Sequence, residues 1–261
     1  MTPGPERPEP IQSLVRGLSV ITAFGAAHPR MTLSEVAREV DLSRATVRRV
    51  LHTLVDLGYA ATDGTLFWLT PRTLSLGYSY LSSQGLADLA NPHLRALSAA
   101  LNESTSLAVL DADEIVYTTR FAVRRIMRTP IAVGTRFPAY ATSMGRVLLA
   151  GMSDADLDDY LARTDRPRLT PNTRTQPDEL RRALHEVRRT GIAVIVDELE
   201  PGVCSVAAPI VAADGAVVAA INVSMASGSG ARERLDAVTP SVLACARAIS
   251  NEVRNRAALT P

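Results

Sequence analysis

The sequence predicts a two-domain α+β protein: an N-terminal winged helix-turn-helix, a linker helix, and a larger α/β domain built on a mainly antiparallel sheet. Three observations predict it. The chain has 261 residues, which suits two domains of about 100–200 residues each. Its first 70 residues hold a capping box, a tight turn and an Asp-Gly hairpin signal in the order helix, helix, turn, helix, hairpin. Beyond them, β-rich segments paired by short turns alternate with helical ones, the pattern of an antiparallel sheet with helices packed on it. The expected boundaries are a disordered tail at 1–10, the winged helix at 11–70, the linker helix at 71–86 and the second domain at 87–261.

Leu14, Leu18, Ile21 and Phe24 recur at helical spacing and His28-Pro29 ends that segment. In Thr32-Leu33-Ser34-Glu35 the hydroxyl and the carboxylate can satisfy the orphan amides of a second helix, with Val36, Ala37 and Val40 inward. Asp41-Leu42-Ser43 makes the connection, and Ser43 caps a third helix running to about Asp56. Its apolar face is Val47, Val50, Leu51, Leu54 and Leu57, and Gly58 stops it. Segments 59–62 and 65–69 read as strands joined by Asp63-Gly64. Thr70-Pro71 opens the linker helix, which carries Leu74, Leu76, Tyr78 and Leu81.

In the second domain, strands are expected at 104–110 and 115–121 around a turn at 111–114. Thr142 caps a helix through Ala150, Ser153 caps another to about Leu161, and Pro177 opens a third that Gly191 closes. Strands follow at 192–196, 205–212 and 216–225, the last two joined by Asp214-Gly215, and a final helix spans about 232–256. Val242, Ala246, Ile249 and Val253 give that helix one apolar face, suited to a core or a dimer contact.

Composition excludes several classes. The 28 basic residues, all Arg, nearly cancel 27 acidic ones, so no global field drives the surface onto nucleic acid or membrane; polyanion binding needs a local cluster. Cys204 and Cys245 have no paired spacing and no nearby His, which argues against a metal site or a disulfide framework. No cofactor is expected. Segment 1–10 has four prolines and no apolar run, so it does not resemble a signal peptide. The most apolar stretch, 206–223, is broken by Pro209, Asp214, Gly215 and Asn222, too often for a span of about 20 residues. A cytoplasmic protein that does not enter membranes is expected.

The third helix carries the local cluster. Arg44, Arg48, Arg49 and His52 lie away from its apolar face, while Ser43 and Thr46 sit at its N-terminal end, where amides favour a phosphate. Arg forks reach guanine edges or phosphates when such a helix enters a major groove. A solvated charged face is the bland alternative, but the surrounding turn and wing agree with double-stranded DNA binding. Ala141-Thr142-Ser143-Met144-Gly145 resembles a Gly-x-Ser-x-Gly nucleophile elbow with Ala for the first Gly. A serine hydrolase using Ser143 is therefore the rival reading. Only His185 follows it as a base, on a face crowded with Arg181, Arg182, Arg188 and Arg189, so no catalytic residue is assigned and the chain is not read as an enzyme. Asp197, Glu198 and Glu200 with Gly202 form an acidic turn, read as solvated or as a pocket rim, and Cys204 as a small buried hydrophobe. A third reading is an architectural DNA binder without an effector; a second domain of this size argues against it.

Ordered motifs along the chain resemble the IclR family of regulators. They are Leu33-Ser34-Glu35-Val36-Ala37, Thr46-Val47-Arg48-Arg49-Val50-Leu51 with Leu54 and Gly58-Tyr59, and Leu74-Ser75-Leu76-Gly77. The run from Gly134 through Phe137-Pro138-Ala139-Tyr140-Ala141-Thr142-Ser143-Met144-Gly145 to Arg146 follows, then Glu198 with Gly202 and Ala207-Ala208-Pro209. Within the family, Arg125-Ile126-Met127 followed by the 137–146 run resembles the PcaR/PcaU/PobR group, which regulates aromatic-acid breakdown through protocatechuate and β-ketoadipate. In the wing this chain has Phe67-Trp68 where the group's pattern often has Tyr. The resemblance implies a transcription regulator with a GAF-like sensing domain, dimeric or tetrameric, that binds a small organic acid. It also implies pocket residues Ile126, Thr129, Ser143, Val203, Ser205, Asn222 and Ser224. A buried carboxylate needs donors or a cation. Ser143 opens a helix, Ser205, Asn222 and Ser224 share a face by the strand period of two, and Arg120 or Arg124 can supply a bidentate cation.

Overall fold

The computed structural model describes residues 9–25, 27–77, 85–123 and 131–259. The chain forms two compact units, 1–83 and 84–261.

The first unit contains α1 (Gln12–Thr22), β1 (Met31–Thr32), α2 (Leu33–Glu39), α3 (Arg44–Asp56), β2 (Ala60–Thr62) and β3 (Leu66–Leu69). The capping box forms: Thr32 Oγ1 accepts from the Glu35 amide at 3.3 Å, and Glu35 Oε2 accepts from the Thr32 amide at 2.7 Å. The Thr32 amide and the Thr32 hydroxyl, which donates to Glu35 Oε2 at 2.9 Å, hold the Glu35 carboxyl below its ordinary pKa. Val20, Phe24, Met31, Val36, Val47, Leu51, Leu54 and Phe67 form the core. Burying each large aliphatic side chain contributes about 1.5–3 kcal/mol.

Three local expectations need correction. Leu14 and Leu18 are 59% and 52% exposed; Val20 is the inward residue of α1, which ends at Thr22, well before His28. Leu57, 52% exposed, has left the apolar face because it is already the C-cap of α3. The hairpin loop is Gly64-Thr65, one position on from the sequence reading: Asp63 lies opposite Leu66, donating its amide to Leu66 O at 3.3 Å. Asp63 Oδ1 accepts from both the Thr65 and Leu66 amides, and Gly64 takes φ +96°. The sequence also gave no hint of β1, which makes the wing three-stranded in the order β1-β3-β2. After β3, Pro71–Thr73 forms a short 3-10 turn and residues 74–77 are helical. Tyr78 and Leu81, expected to continue the linker helix, lie outside the described residues.

The second unit contains α4 (Leu86–Leu101), β4 (Ser104–Asp111), β5 (Glu114–Phe121), β6 (Arg136–Pro138), α5 (Ser143–Ala150), α6 (Asp154–Arg163), α7 (Pro177–Thr190), β7 (Ala193–Val196), β8 (Val203–Val211), β9 (Val217–Ala226) and α8 (Ala231–Leu259). Its six strands run antiparallel in the order β6-β5-β4-β9-β8-β7. One sheet face, with Leu107, Val206, Ala208, Ile221 and Val223, packs on α4 and α8. The other, with Ala108, Tyr117, Ala207 and Ala220, packs on α5, α6 and α7. Neither α4 nor β6 was anticipated. Pro92 lies inside α4 and discourages a helix reading, since it removes a backbone donor. Leu86, Ala90, Leu94 and Leu97 nevertheless fix one buried face on the sheet. Among the described residues no helix is long and apolar enough to cross a membrane.

Candidate DNA interface and effector cavity

Each site is built from a capped helix. In α3, Ser43 Oγ accepts from the Thr46 amide at 3.2 Å and shares a 3.0 Å hydrogen bond with Thr46 Oγ1. The buried residues Val47, Leu51 and Leu54 seat the helix, leaving Arg44, Arg48, Arg49 and His52 exposed. Among the described residues no carboxylate pairs with those three arginines, whose donors therefore face solvent. His52 stands edge-on to Phe67 of the wing, ring centroids 6.1 Å apart, so the helix face runs onto β3. The wing adds a cation that sequence reading missed: the Arg30 guanidinium stacks 4.2 Å over the Trp68 ring. Residues 30 and 68 became neighbours only through the unforeseen β1.

In the second unit, α5 begins against the sheet. Thr142 Oγ1 accepts from the Gly145 amide at 3.0 Å, and the Ser143 and Met144 amides belong to the first turn, where an α-helix offers no intrahelical acceptor. A space of about 410 Å³, its open mouth included, lies between this helix start and strands β5, β7, β8 and β9. Its lining includes Ser143, Val203, Ser205, Asn222 and Ser224, five of the residues named from sequence, together with Tyr117, Ile195 and Leu199, which were not. Register explains the polar seam. Ser205 pairs with Ser224, Ala207 with Asn222, and Ser106 with Asn222, so these side chains share one face. Ser143 Oγ and Ser205 Oγ are 2.8 Å apart. Asn222 is 5% exposed, and its Oδ1 has no hydrogen-bond partner among the described residues. Burial pushes the Tyr117 phenol up to about 12, keeping it a neutral donor.

Arg120 lies on the same sheet face but outside the cavity lining. It is half-buried, donates to Ser106 Oγ at 3.1 Å, and burial lowers its pKa. Arg124, Ile126 and Thr129 lie outside the described residues.

Of the two readings of the acidic turn, solvated or pocket rim, the solvated one fails at Glu198, while Leu199 and Val203 border the cavity. Glu198 is 4% exposed and faces Arg146, 2% exposed, in a two-pronged ion pair: Nη1 donates to Oε1 at 2.8 Å and Nη2 to Oε2. Arg146 Nε also donates to Tyr140 O at 3.1 Å, and the Arg174 amide to Glu198 Oε2 at 3.1 Å. Thr173 Oγ1 donates to Glu198 O at 2.6 Å, while Asp197, at φ +57°, accepts through Oδ1 from the Gly202 amide at 2.7 Å. A buried charge survives only with such saturation. Arg146 is one turn along α5 from Ser143, and the turn carrying Glu198 supplies Leu199 and Val203 to the cavity. The ion pair thus fastens roof to floor. It is invisible in sequence because its partners are 52 positions apart.

The chemistry for a hydrolase is not assembled here. The Ser143 hydroxyl is engaged by Ser205, and His185 is exposed on α7. Cys204 and Cys245 are buried, their thiols pushed up to about 11. Among the described residues no group of three His, Cys, Asp or Glu could hold a metal.

Comparison with known proteins accords with this geometry. Residues 13–64 match the IclR helix-turn-helix domain and residues 78–251 the C-terminal domain of bacterial IclR transcriptional regulators. The chain is 42% identical to the Pca regulon regulatory protein of Pseudomonas putida, over 94% of this chain and 85% of that protein. It is 34% identical to the p-hydroxybenzoate hydroxylase transcriptional activator of Acinetobacter baylyi, over 94% and 91%. A transcriptional regulator structure from Rhodococcus sp. RHA1 superposes with a TM-score of 0.81 at 51% identity, covering 93% of this chain and 98% of that one. An IclR homolog from Microbacterium hydrocarbonoxydans, solved with 4-hydroxybenzoate, gives 0.82 at 25% identity, over 93% and 99%. These relatives are regulators of transcription, not enzymes. A helix-turn-helix whose outward arginines have no internal partner, and a second unit with a polar-seamed cavity, accord with them: the chain belongs to the IclR family of DNA-binding transcriptional regulators.

Proposed function

We propose that this regulator controls aromatic-acid catabolism of the protocatechuate/β-ketoadipate type, reading its operator through α3 and sensing a small organic acid in the cavity beneath α5. The observation that carries this is the cavity's polar seam: Ser143, Ser205, Ser224 and Asn222, whose Oδ1 has no partner among the described residues, converge at the start of α5, where first-turn amides have no intrahelical acceptor. Such a helix start favours a carboxylate. The 4-hydroxybenzoate in the Microbacterium homolog and the Pca and p-hydroxybenzoate regulators among the relatives support the same ligand class.

In this reading Ser43, Arg44, Thr46, Arg48, Arg49 and His52 contact operator DNA. Ile126, Thr129 and Val203 complete the effector pocket, and Arg120 or Arg124 provides its cation. Residues 11–70 act as the DNA-binding domain, 71–86 as the linker helix and 87–261 as the sensing domain, all in the cytoplasm where the operator is. One winged helix makes too few contacts for high affinity, so the protein acts as a dimer or tetramer on a near-palindromic site with half-sites about 34–36 Å apart or a multiple of that. The exposed apolar stripe Ile11, Leu14, Val15 and Leu18 on α1, with Leu74 beyond the wing, supports an association surface in the first unit.

Calorimetry with 4-hydroxybenzoate and 4-hydroxybenzamide on wild type and Ser143→Leu tests the sensing role. The acid is expected to bind at about micromolar Kd and the amide at least about tenfold more weakly, since a neutral carbonyl accepts the same amides without the charge assistance and dipole attraction a carboxylate has. Equal binding of both, or undiminished binding by Ser143→Leu, overturns it.

A further inference from the structure

We infer that the outer side of the Arg146–Glu198 pair forms a second site, for a small oxyanion, that adjusts the effector cavity on the inner side. A space of about 610 Å³, its open mouth included, is lined by Arg146, Arg174, Arg232, Thr190 and Val194, among others. Arg146 is a built-in part of that wall, 2% exposed. The two outer arginines are under-used. Arg174 Nε lies 3.8 Å from Glu198 Oε1, and Arg232 Nε lies 3.9 Å from Asp236 Oδ1, both too long for hydrogen bonds. The carboxylate in the lining, Glu186, is already taken by Arg189 through bonds of 3.0 and 2.6 Å. What remains is two guanidinium forks beside a cavity with their donors largely unspent, the arrangement that recognises a carboxylate or a phosphate.

Its consequence follows from shared partners. Glu198 is held by Arg146 and by the Arg174 backbone amide, and the Arg174 guanidinium adds a charge contact at 3.8 Å. The turn bearing it places Leu199 and Val203 in the effector cavity, while the helix bearing Arg146 places Ser143 there. An oxyanion drawing Arg174 outward competes with Glu198 for it and loosens the turn. Effector affinity then falls when the second site fills, and by linkage the oxyanion binds less well to the effector-loaded protein.

The test uses the full chain. Inorganic phosphate and, separately, succinate are titrated by calorimetry at fixed ionic strength, with chloride as control. At least one oxyanion is expected to bind where chloride does not, and Arg174→Ala and Arg232→Ala each to lower its affinity by about tenfold. Binding of phosphate alone assigns a phosphorylated ligand, and of succinate alone a carboxylate. The 4-hydroxybenzoate titration is then repeated with the oxyanion saturating, and its Kd is expected to rise about fivefold. No oxyanion binding above chloride, or binding indifferent to both substitutions, overturns the site; an unchanged effector Kd overturns the coupling. The first titrations contain no effector, so they stand even if the effector reading fails; only the coupling arm rests on it.

Discussion

Helices α3 and α5 start alike and end in opposite roles. Each opens with a hydroxyl that accepts from the amide three residues on, at 3.2 Å for Ser43 and 3.0 Å for Thr142. In α3 three of 13 residues are buried, and its arginines face outward without partners among the described residues. In α5 all eight residues are buried, including an arginine. One leaves its cations facing solvent, where a polyanion can meet them; the other turns its polar groups inward, where each must be satisfied by the protein or by a guest. A cap therefore says where a helix begins and nothing about what it faces. The facing is set by what surrounds it, and the two helices should respond very differently to substitution.

The largest contrast is at the charges. Glu198→Ala leaves the Arg146 guanidinium buried and unpaired, and about 3–5 kcal/mol of stability should be lost from the second unit, read by urea denaturation. A loss below about 1 kcal/mol would mean the turn is not fastened as described. Glycines sharpen the contrast next. A Cβ at Gly145 would collide with the backbone of Ala139, so Gly145→Ala forces α5 off the 3-10 turn Ala139–Ala141 that precedes it. Destabilisation of about 3 kcal/mol is expected, with weakened effector binding. Third, Arg48→Ala or Arg49→Ala should leave the melting temperature unchanged and weaken operator binding by about 1–3 kcal/mol, with at least one relaxing preference at a defined base. Footprinting with unchanged affinity for both would remove α3 from the DNA interface. The smallest effect has the opposite sign. Nothing lies within 4 Å of a Cβ at Gly17 in α1, and Gly17→Ala should stabilise the first unit by about 0.5–1 kcal/mol.

What could be read from sequence was local. Thr32, Ser43, Thr142 and Ser153 all cap as their spacing suggested. Gly191 ends α7 at φ +74°. Asn222 and Ser224 share a face because strands have a period of two. What escaped was short or distant. Strands of two and three residues, β1 and β6, are too brief to show any period. Pro92 masked α4, whose apolar spacing is otherwise regular. The Arg146–Glu198 pair escaped because a charged residue reads as exposed unless its partner is already known, and that partner arrives only through the fold. Leu14 and Leu18 were misplaced for the converse reason, since an apolar stripe does not say whether it meets the chain's own core.

The bare oxygen of Asn222 gives the cavity a taste before any ligand contact is counted. A buried acceptor that goes unmatched costs about 1–3 kcal/mol, and within the described residues nothing donates to this one. Two guests of equal shape and charge, differing only in whether one can lend a proton at that point, are therefore separated by about 10- to 100-fold. The preferred guest wins by ending a discomfort of the protein's own making. A sieve of this kind needs no snug walls; in the proposed sensing role it would favour an acid that carries a hydroxyl at that point over one that lacks it, while leaving ring substitutions elsewhere little constrained.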